Sequence, residues 1–106
     1  MKMIMSIVNS SDARGLTDTL MRKGYRATEI STTGGFLRRR NATVLIGVED
    51  EKVDDVLEII RDSCPARTER VYPSPPVIGT LLPPAADAQI SGAVIFVLNV
   101  DRVESY

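Results

Sequence analysis

The chain has 106 residues, of which 43% are hydrophobic and 25% charged, and its net charge at pH 7 is −1. These values are typical of one soluble globular domain, and they argue against a whole-protein field built for nucleic acid. The chain has no histidine and one cysteine. This excludes the commonest general base and metal ligand, an internal disulfide and a cysteine-cluster zinc site.

The first half of the chain predicts a strand, a helix and two further strands. Residues 1–9 form a short, nearly continuous apolar run, which is typical of a buried central strand. Residues 10–12 (SSD) offer N-cap side chains for a helix that Gly24 terminates. Residues 25–32 alternate in polarity, and residues 43–48 (TVLIGV) form a second apolar strand.

The second half predicts a helix, a proline-rich loop and a final strand. Apolar residues over 53–60 recur at helical spacing, and Pro65 stops that helix. Residues 67–72 are compatible with a short strand. Residues from about 73 to 89 predict a long proline-rich loop without periodicity, and residues 90–100 (ISGAVIFVLNV) form the strongest strand pattern of the chain.

The resulting order is strand, helix, strand, strand, helix, strand over a single domain, 1–106. This βαββαβ order predicts an α+β, ferredoxin-like fold: an antiparallel sheet with two helices on one face. The strands at 3–8, 44–48 and 94–100 are apolar on both alternating sets of residues. We therefore expect a partner subunit to bury the second face of the sheet in a homo-oligomer.

The most informative segment lies between the two middle strands, at residues 31–41 (STTGGFLRRRN). Two glycines allow close approach of the backbone to a ligand, Phe36 offers a face to a base, and Asn41 can donate and accept at a base edge. The arginines at 38–40 supply charge for an anion. This chemistry predicts a nucleotide-like ligand, although a plain hairpin turn, a solvated arginine loop and an interface plug at Phe36 remain alternatives.

Three strings of the sequence closely resemble the PII-like cyclic-di-AMP receptor family: GYRATEISTTGGFLRRRNAT, VLIGVEDEKVDDVLEII and SGAVIFVLNV. The resemblance extends in order over nearly the whole chain, and the proline-rich loop is its weak part. The resemblance implies a bacterial homotrimer that binds the second messenger cyclic di-AMP in clefts between adjacent subunits. It also implies a signal receptor without catalysis or cofactor, which acts on an unknown downstream protein. The residues themselves predict a cytoplasmic protein without membrane insertion or a nucleic-acid partner, since no segment approaches the roughly 18 to 20 continuous apolar residues of a membrane span and the N-terminus is too short for a signal peptide. As in that family, the loop between the middle strands is short and the loop before the last strand is long.

The resemblance also implies seven ligand contacts. They are Arg26 and Thr28 on the second strand, Gly35, Phe36 and Leu37 in the loop, Asn41 after it, and Gly47 on the third strand. Arg26 and Thr28 are two residues apart, so they project from the same face of a strand. Phe36 and Leu37 are suited to form an apolar wall for an adenine ring, and Asn41 is suited to pair with an adenine edge.

Two positions depart from the family pattern. Arg40 stands where a glycine usually precedes the asparagine, and Ala42 stands where a threonine commonly follows it. Arg40 leaves open a PII-like module that binds another adenine nucleotide or an anion. Two further alternatives remain: a surface ion pair for Arg26, and a β-bulge rather than a ligand contact at Gly47.

Overall fold

The computed structural model describes residues 1–30, 41–71, 86–90 and 92–106. Within these residues the helices and strands follow in this order: β1 (Lys2–Asn9), α1 (Ser10–Arg22), β2 (Ala27–Ile30), β3 (Asn41–Val48), a 3₁₀ turn (Asp50–Lys52), α2 (Val53–Ser63), β4 (Arg67–Val71), β5 (Ala86–Ile90) and β6 (Ala93–Asn99). No helix in the described ranges is long and apolar enough to cross a membrane.

Four of the strands form one antiparallel sheet in the order β2-β3-β1-β6. In its register, Ser6 of β1 lies opposite Val44 of β3 on one side and Ile95 of β6 on the other. With the two helices, this is the ferredoxin-like α+β arrangement that the sequence predicts. The order leaves β2 and β6 at the two edges of the sheet.

The core lies between the two helices and one face of the sheet. It is formed by alternate residues of β1 and β3 and by the apolar stripes of the helices: Ile4, Val8, Leu16, Leu20, Val44, Ile46, Val56 and Ile60. Because strand side chains alternate, the intervening residues lie on the opposite face, which we call the open face. It carries Met3, Met5, Ile7, Thr28, Ile30, Asn41, Thr43, Leu45, Gly47, Val94, Phe96 and Leu98.

The ends of α1 are set by two residues outside the helix. Asn9 is the N-cap, and its Oδ1 accepts the backbone N–H of Ser11 at 3.0 Å. The predicted cap within residues 10–12 is therefore wrong, because Asn9 both ends β1 and caps the helix. Gly24 follows the last turn with φ of +89°, and this confirms the predicted glycine terminator.

The strands β4 and β5 pair with each other in a separate two-stranded antiparallel sheet, which we call the arm. The short strand predicted at 67–72 is confirmed over the described residues 67–71. The prediction of a loop is wrong for residues 86–89, which belong to β5, while residues 73–85 lie outside the described part of the chain. The predicted last strand is also divided: residue 90 ends β5, and β6 begins at Ala93.

Candidate functional site

A cavity of about 280 Å³ on the open face brings together three of the predicted ligand contacts: Arg26, Thr28 and Gly47. We call it the strand cavity. Its other lining residues are Met1, Met3, Leu45, Val100 and Val103. Strand pairing accounts for the arrangement, because Thr28 lies opposite Leu45 and residue 27 lies opposite residue 46, next to Gly47.

Arg26 provides the cationic group of this cavity. It is exposed and forms no ion pair with Asp18, Glu29 or any other described acid, so the surface-pair alternative is wrong within the described residues. A guanidinium of this kind is available to a phosphate, with which it forms charge-assisted hydrogen bonds. Arg26 and Thr28 also line a second cavity of about 470 Å³, between the end of α1 and β2.

The start of β2 is fixed to α2 next to Arg26. The hydroxyl of Tyr25 donates a hydrogen bond to the carboxylate of Asp55 on α2. This hydrogen bond is the main cause that raises the pKa of Tyr25 above its ordinary value. The contact restrains the residue that directly precedes Arg26, so the cationic end of the cavity is positioned by the helix layer.

Gly47 lies in a regular part of the sheet. It is opposite Met3, and the flanking pairs Lys2 with Val48 and Ile4 with Ile46 leave no extra residue. The bulge alternative is therefore wrong. A Cβ atom added at Gly47 would lie 3.4 Å from Cε of Met1, which is an ordinary contact distance. Packing within this subunit therefore does not require a glycine at position 47. If a glycine is needed here, the reason is close approach of a ligand or of another subunit.

Asn41 lies far from the strand cavity. It opens β3, is exposed, and lies opposite Asn9 of β1. Six residues separate it from Gly47 on the same face of the strand, and this corresponds to about 20 Å. The adjacent Ala42 is only 4% exposed and belongs to the core, so this departure from the family pattern affects core packing rather than the open face.

The loop contacts Gly35, Phe36 and Leu37, together with Arg40, lie outside the described residues. Sequence reasoning, in contrast, missed Val100 and Val103 as lining residues of the strand cavity. The N–H of Val100 donates to the carbonyl of Met1 at 3.2 Å, which continues the pairing of β1 with β6. No pattern in the sequence indicated this role, because Val100 ends the predicted last strand and Val103 follows it among polar residues.

Two observations concern metal-binding groups and the single cysteine of the chain. No group of three or more His, Cys, Asp or Glu side chains in the described part of the chain is placed to hold a metal ion. Cys64 is 2% exposed. Burial raises the pKa of its thiol to about 11, with a further contribution from Asp12 that Arg67 opposes. Because the thiolate is the reactive form, Cys64 is a structural residue rather than a nucleophile.

Two comparisons relate this chain to known proteins. The model of a protein family described as "Cyclic-di-AMP receptor" matches residues 1–106. The crystal structure of a functionally unknown protein from Pediococcus pentosaceus ATCC 25745 is similar, with a TM-score of 0.73 and 38% sequence identity. The similarity covers 99% of this chain and 96% of the other.

Proposed function

The chain belongs to the cyclic-di-AMP receptor family, and from this premise we propose that it is a homotrimeric cytoplasmic receptor without catalytic activity. Cyclic di-AMP binds in clefts between adjacent subunits and orders nearby loops, and a downstream protein reads the ordered state. The ligand acts by favouring one loop conformation over another. The observation that carries the proposal is the strand cavity, which joins Arg26, Thr28 and Gly47.

The size and position of the strand cavity support a site shared between subunits. Its volume of about 280 Å³ is at the lower limit of the roughly 300–1,000 Å³ of pockets that bury most of a ligand. Along β3, the predicted contact at Gly47 lies about 20 Å from the contact at Asn41, and Leu45, the strand partner of Thr28, lies about 13 Å from it. In our proposal one subunit supplies the strand cavity and its neighbour supplies Asn41 with the loop residues before it.

The open face supports the trimer. Phe96 is 49% exposed, and Val94, Leu98 and Ile30 on the same face are exposed as well. An apolar surface of this kind on a sheet usually marks a protein interface. Burial of the open face by neighbouring subunits would give both faces of the sheet an apolar environment and would bring two edges of different subunits close together.

The chemistry of the seven contacts suits a cyclic dinucleotide. Arg26 and Thr28 provide a charge and a hydroxyl for a phosphate. Phe36 and Leu37 provide an apolar wall for an adenine, and Asn41 pairs with an adenine edge. Gly35 and Gly47 leave room for the ligand at the backbone.

Isothermal titration with cyclic di-AMP, cyclic di-GMP and ATP tests the proposal. We expect cyclic di-AMP to bind most tightly; absence of heat with cyclic di-AMP at high protein concentration would reject the proposal. A preference for ATP would favour the alternative of a PII-like module for another adenine nucleotide, which the charge at Arg40 makes reasonable.

Two substitutions assign the contacts. Arg26→Ala is expected to weaken binding through the loss of a charge-assisted contact. Phe36→Ala is expected to weaken it by about 1–3 kcal/mol through the loss of base stacking, without loss of the trimer. Arg14→Ala serves as the matched control, since Arg14 is exposed on α1 and away from the cavity. Unchanged affinity in either variant would remove that residue from the site.

A further inference from the structure

Arg67, the first residue of β4, attaches the arm to the first turn of α1. Its Nη1 donates to the carboxylate of Asp12 at 2.8 Å and to the carbonyl of Pro65 at 3.1 Å. Its Nη2 donates to the hydroxyl oxygen of Ser11 at 3.1 Å. The side chains of Arg67 and Asp12 are only 27% and 15% exposed, so solvent screens this pair less than an open surface pair.

The same hydrogen bonds continue from the arm to Asn9, which is the strand partner of the predicted ligand contact Asn41. The Ser11 hydroxyl that accepts from Arg67 donates to Oδ1 of Asn9 at 2.6 Å, and the Ser11 backbone N–H donates to the same oxygen. Asn9 is the last residue of β1 and lies directly opposite Asn41 in the sheet. Side-chain hydrogen bonds therefore connect Arg67, Ser11 and Asn9, and strand pairing places Asn9 beside Asn41.

The arm needs such an attachment. A two-stranded sheet is marginally stable by itself in water, so its order depends on contacts with the rest of the molecule. At the other strand of the arm, Gly92 directly precedes β6 and lies against the turn that leads into β4. A Cβ atom at Gly92 would lie 2.5 Å from the carbonyl oxygen of Cys64 and 3.1 Å from the nitrogen of Ala66. Both ends of the arm thus meet the body of the subunit at closely packed points.

We propose that Arg67 is a positioning residue that couples the arm to the ligand-binding end of β3. Ligand held at Asn41 restrains Asn9 and Ser11, and Ser11 in turn holds the guanidinium that fixes β4 on α1. The inference rests on the proposed function in one respect, the contact between Asn41 and the ligand. Because coupling between two sites is reciprocal, loss of Arg67 weakens ligand binding even though Arg67 does not touch the ligand.

Hydrogen–deuterium exchange of the full chain, with and without cyclic di-AMP, tests the coupling. The reporters are the backbone amides of 67–71 and 86–90. In the wild type, ligand slows their exchange. In Arg67→Met, exchange of the arm without ligand is roughly tenfold faster, as expected for the loss of charged hydrogen bonds, and the slowing by ligand disappears. Arg14→Met, which removes a nearby exposed arginine of α1, behaves as the wild type.

Ser11→Ala separates attachment from coupling. It removes the hydroxyl between Asn9 and Arg67 but leaves the pair of Arg67 with Asp12. We expect arm exchange close to the wild type without ligand, a reduced slowing with ligand, and an affinity about fivefold lower in both variants. If Arg67→Met fails to fold, Ser11→Ala alone tests the coupling between the arm and the ligand site.

Two results would overturn the inference alone: the same ligand-dependent slowing in Ser11→Ala and Arg67→Met as in the wild type, or a wild type whose arm does not respond to ligand that titration shows to be bound. A wild type that gives no heat with cyclic di-AMP in the preceding titration would overturn the proposed function and the coupling together. The titration therefore distinguishes the two failures.

Discussion

Gly47 and Gly92 both stand in or beside apolar strands, but the structure gives different reasons for a glycine at the two positions. At Gly92, a Cβ atom would overlap the carbonyl oxygen of Cys64 at 2.5 Å, and backbone cannot move away as a side chain can. At Gly47, the nearest atom is the end of the flexible Met1 side chain at 3.4 Å. The fold therefore requires a glycine at position 92, whereas at position 47 the expected reason for a glycine is close approach of the ligand.

The first prediction compares alanine at these two positions. Gly47→Ala is expected to change the free energy of unfolding by less than about 0.5 kcal/mol while it lowers the affinity for cyclic di-AMP. Gly92→Ala is expected to lower the free energy of unfolding by about 1–3 kcal/mol through overpacking. Denaturant unfolding at equal protein concentrations and calorimetric titration measure the two effects. Full affinity in Gly47→Ala would show that no ligand approaches this position closely.

Ser6 is a polar residue in the middle of the core. It is fully buried in β1, and its hydroxyl finds no hydrogen-bond partner among the described residues. Its neighbours across the sheet are the apolar side chains of Val44 and Ile95. A buried hydroxyl without a partner retains the cost of its lost hydration.

The second prediction follows from this cost. Ser6→Ala removes the hydroxyl with little change in volume, so we expect the free energy of unfolding to rise by about 1 kcal/mol. Ser6→Asn, which adds polar volume at the same place, is expected to lower it. Chemical denaturation of the two variants at one protein concentration is the measurement. A marked loss of stability in Ser6→Ala would indicate a hydrogen bond to a group outside the described residues.

At the level of helices and strands, the elements that could be predicted from the sequence were those with a regular apolar periodicity. The apolar spacing over 53–60 and the run at 43–48 led directly to α2 and β3, because burial of one face leaves a clear pattern. The residues of β5 (ADAQI) carry no such pattern, since their partner is the short strand β4 rather than the main sheet. The pairing of two segments without a clear strand pattern depends on the tertiary structure, so it could not be predicted from the sequence.

The residues of the candidate site were also predicted only in part. Alternation along the strand predicted at 25–32 placed Arg26 and Thr28 on one face. In the structure β2 begins at Ala27, so Arg26 directly precedes the strand, and both residues line the strand cavity. Resemblance to the family added Gly47, which the strand cavity joins to them. The contribution of Val100 and Val103 could not be predicted, because it depends on β6 pairing with β1 at the far end of the chain.

The third prediction concerns the junction of β1 and α1. Asn9→Ala removes the oxygen that accepts both the N–H and the hydroxyl of Ser11. We expect the free energy of unfolding to fall by about 1 kcal/mol, the usual effect of a lost N-cap. Ser10→Ala is the matched control, since Ser10 is exposed, and it is expected to stay within about 0.5 kcal/mol of the wild type. Equal stability of the two variants would argue against Asn9 as the cap.

For the whole molecule, the sheet has one face covered by helices and one that the subunit leaves open. Val94, Phe96 and Leu98 of β6 follow one another on this open face, beside Ile7, Met5 and Met3 of β1. The three β6 side chains are exposed, whereas Ile4 and Val8 on the covered face are buried. We therefore expect assembly to remove this apolar surface from water, and in the proposed trimer each subunit would meet the strand cavity of another.

The fourth prediction tests assembly through Phe96. Phe96→Glu places a charge opposite Met5 on the open face, where burial against another subunit would leave it without a partner. Because Phe96 is half-exposed in the subunit, the fold is expected to remain and the trimer to dissociate. Light scattering after size-exclusion chromatography should give a trimer for the wild type and for Arg14→Glu, and a monomer for Phe96→Glu. The monomer is also expected to lose cyclic-di-AMP binding, since each half of the site then lacks the other. A Phe96→Glu trimer, or a monomeric wild type, would contradict burial of the open face between subunits.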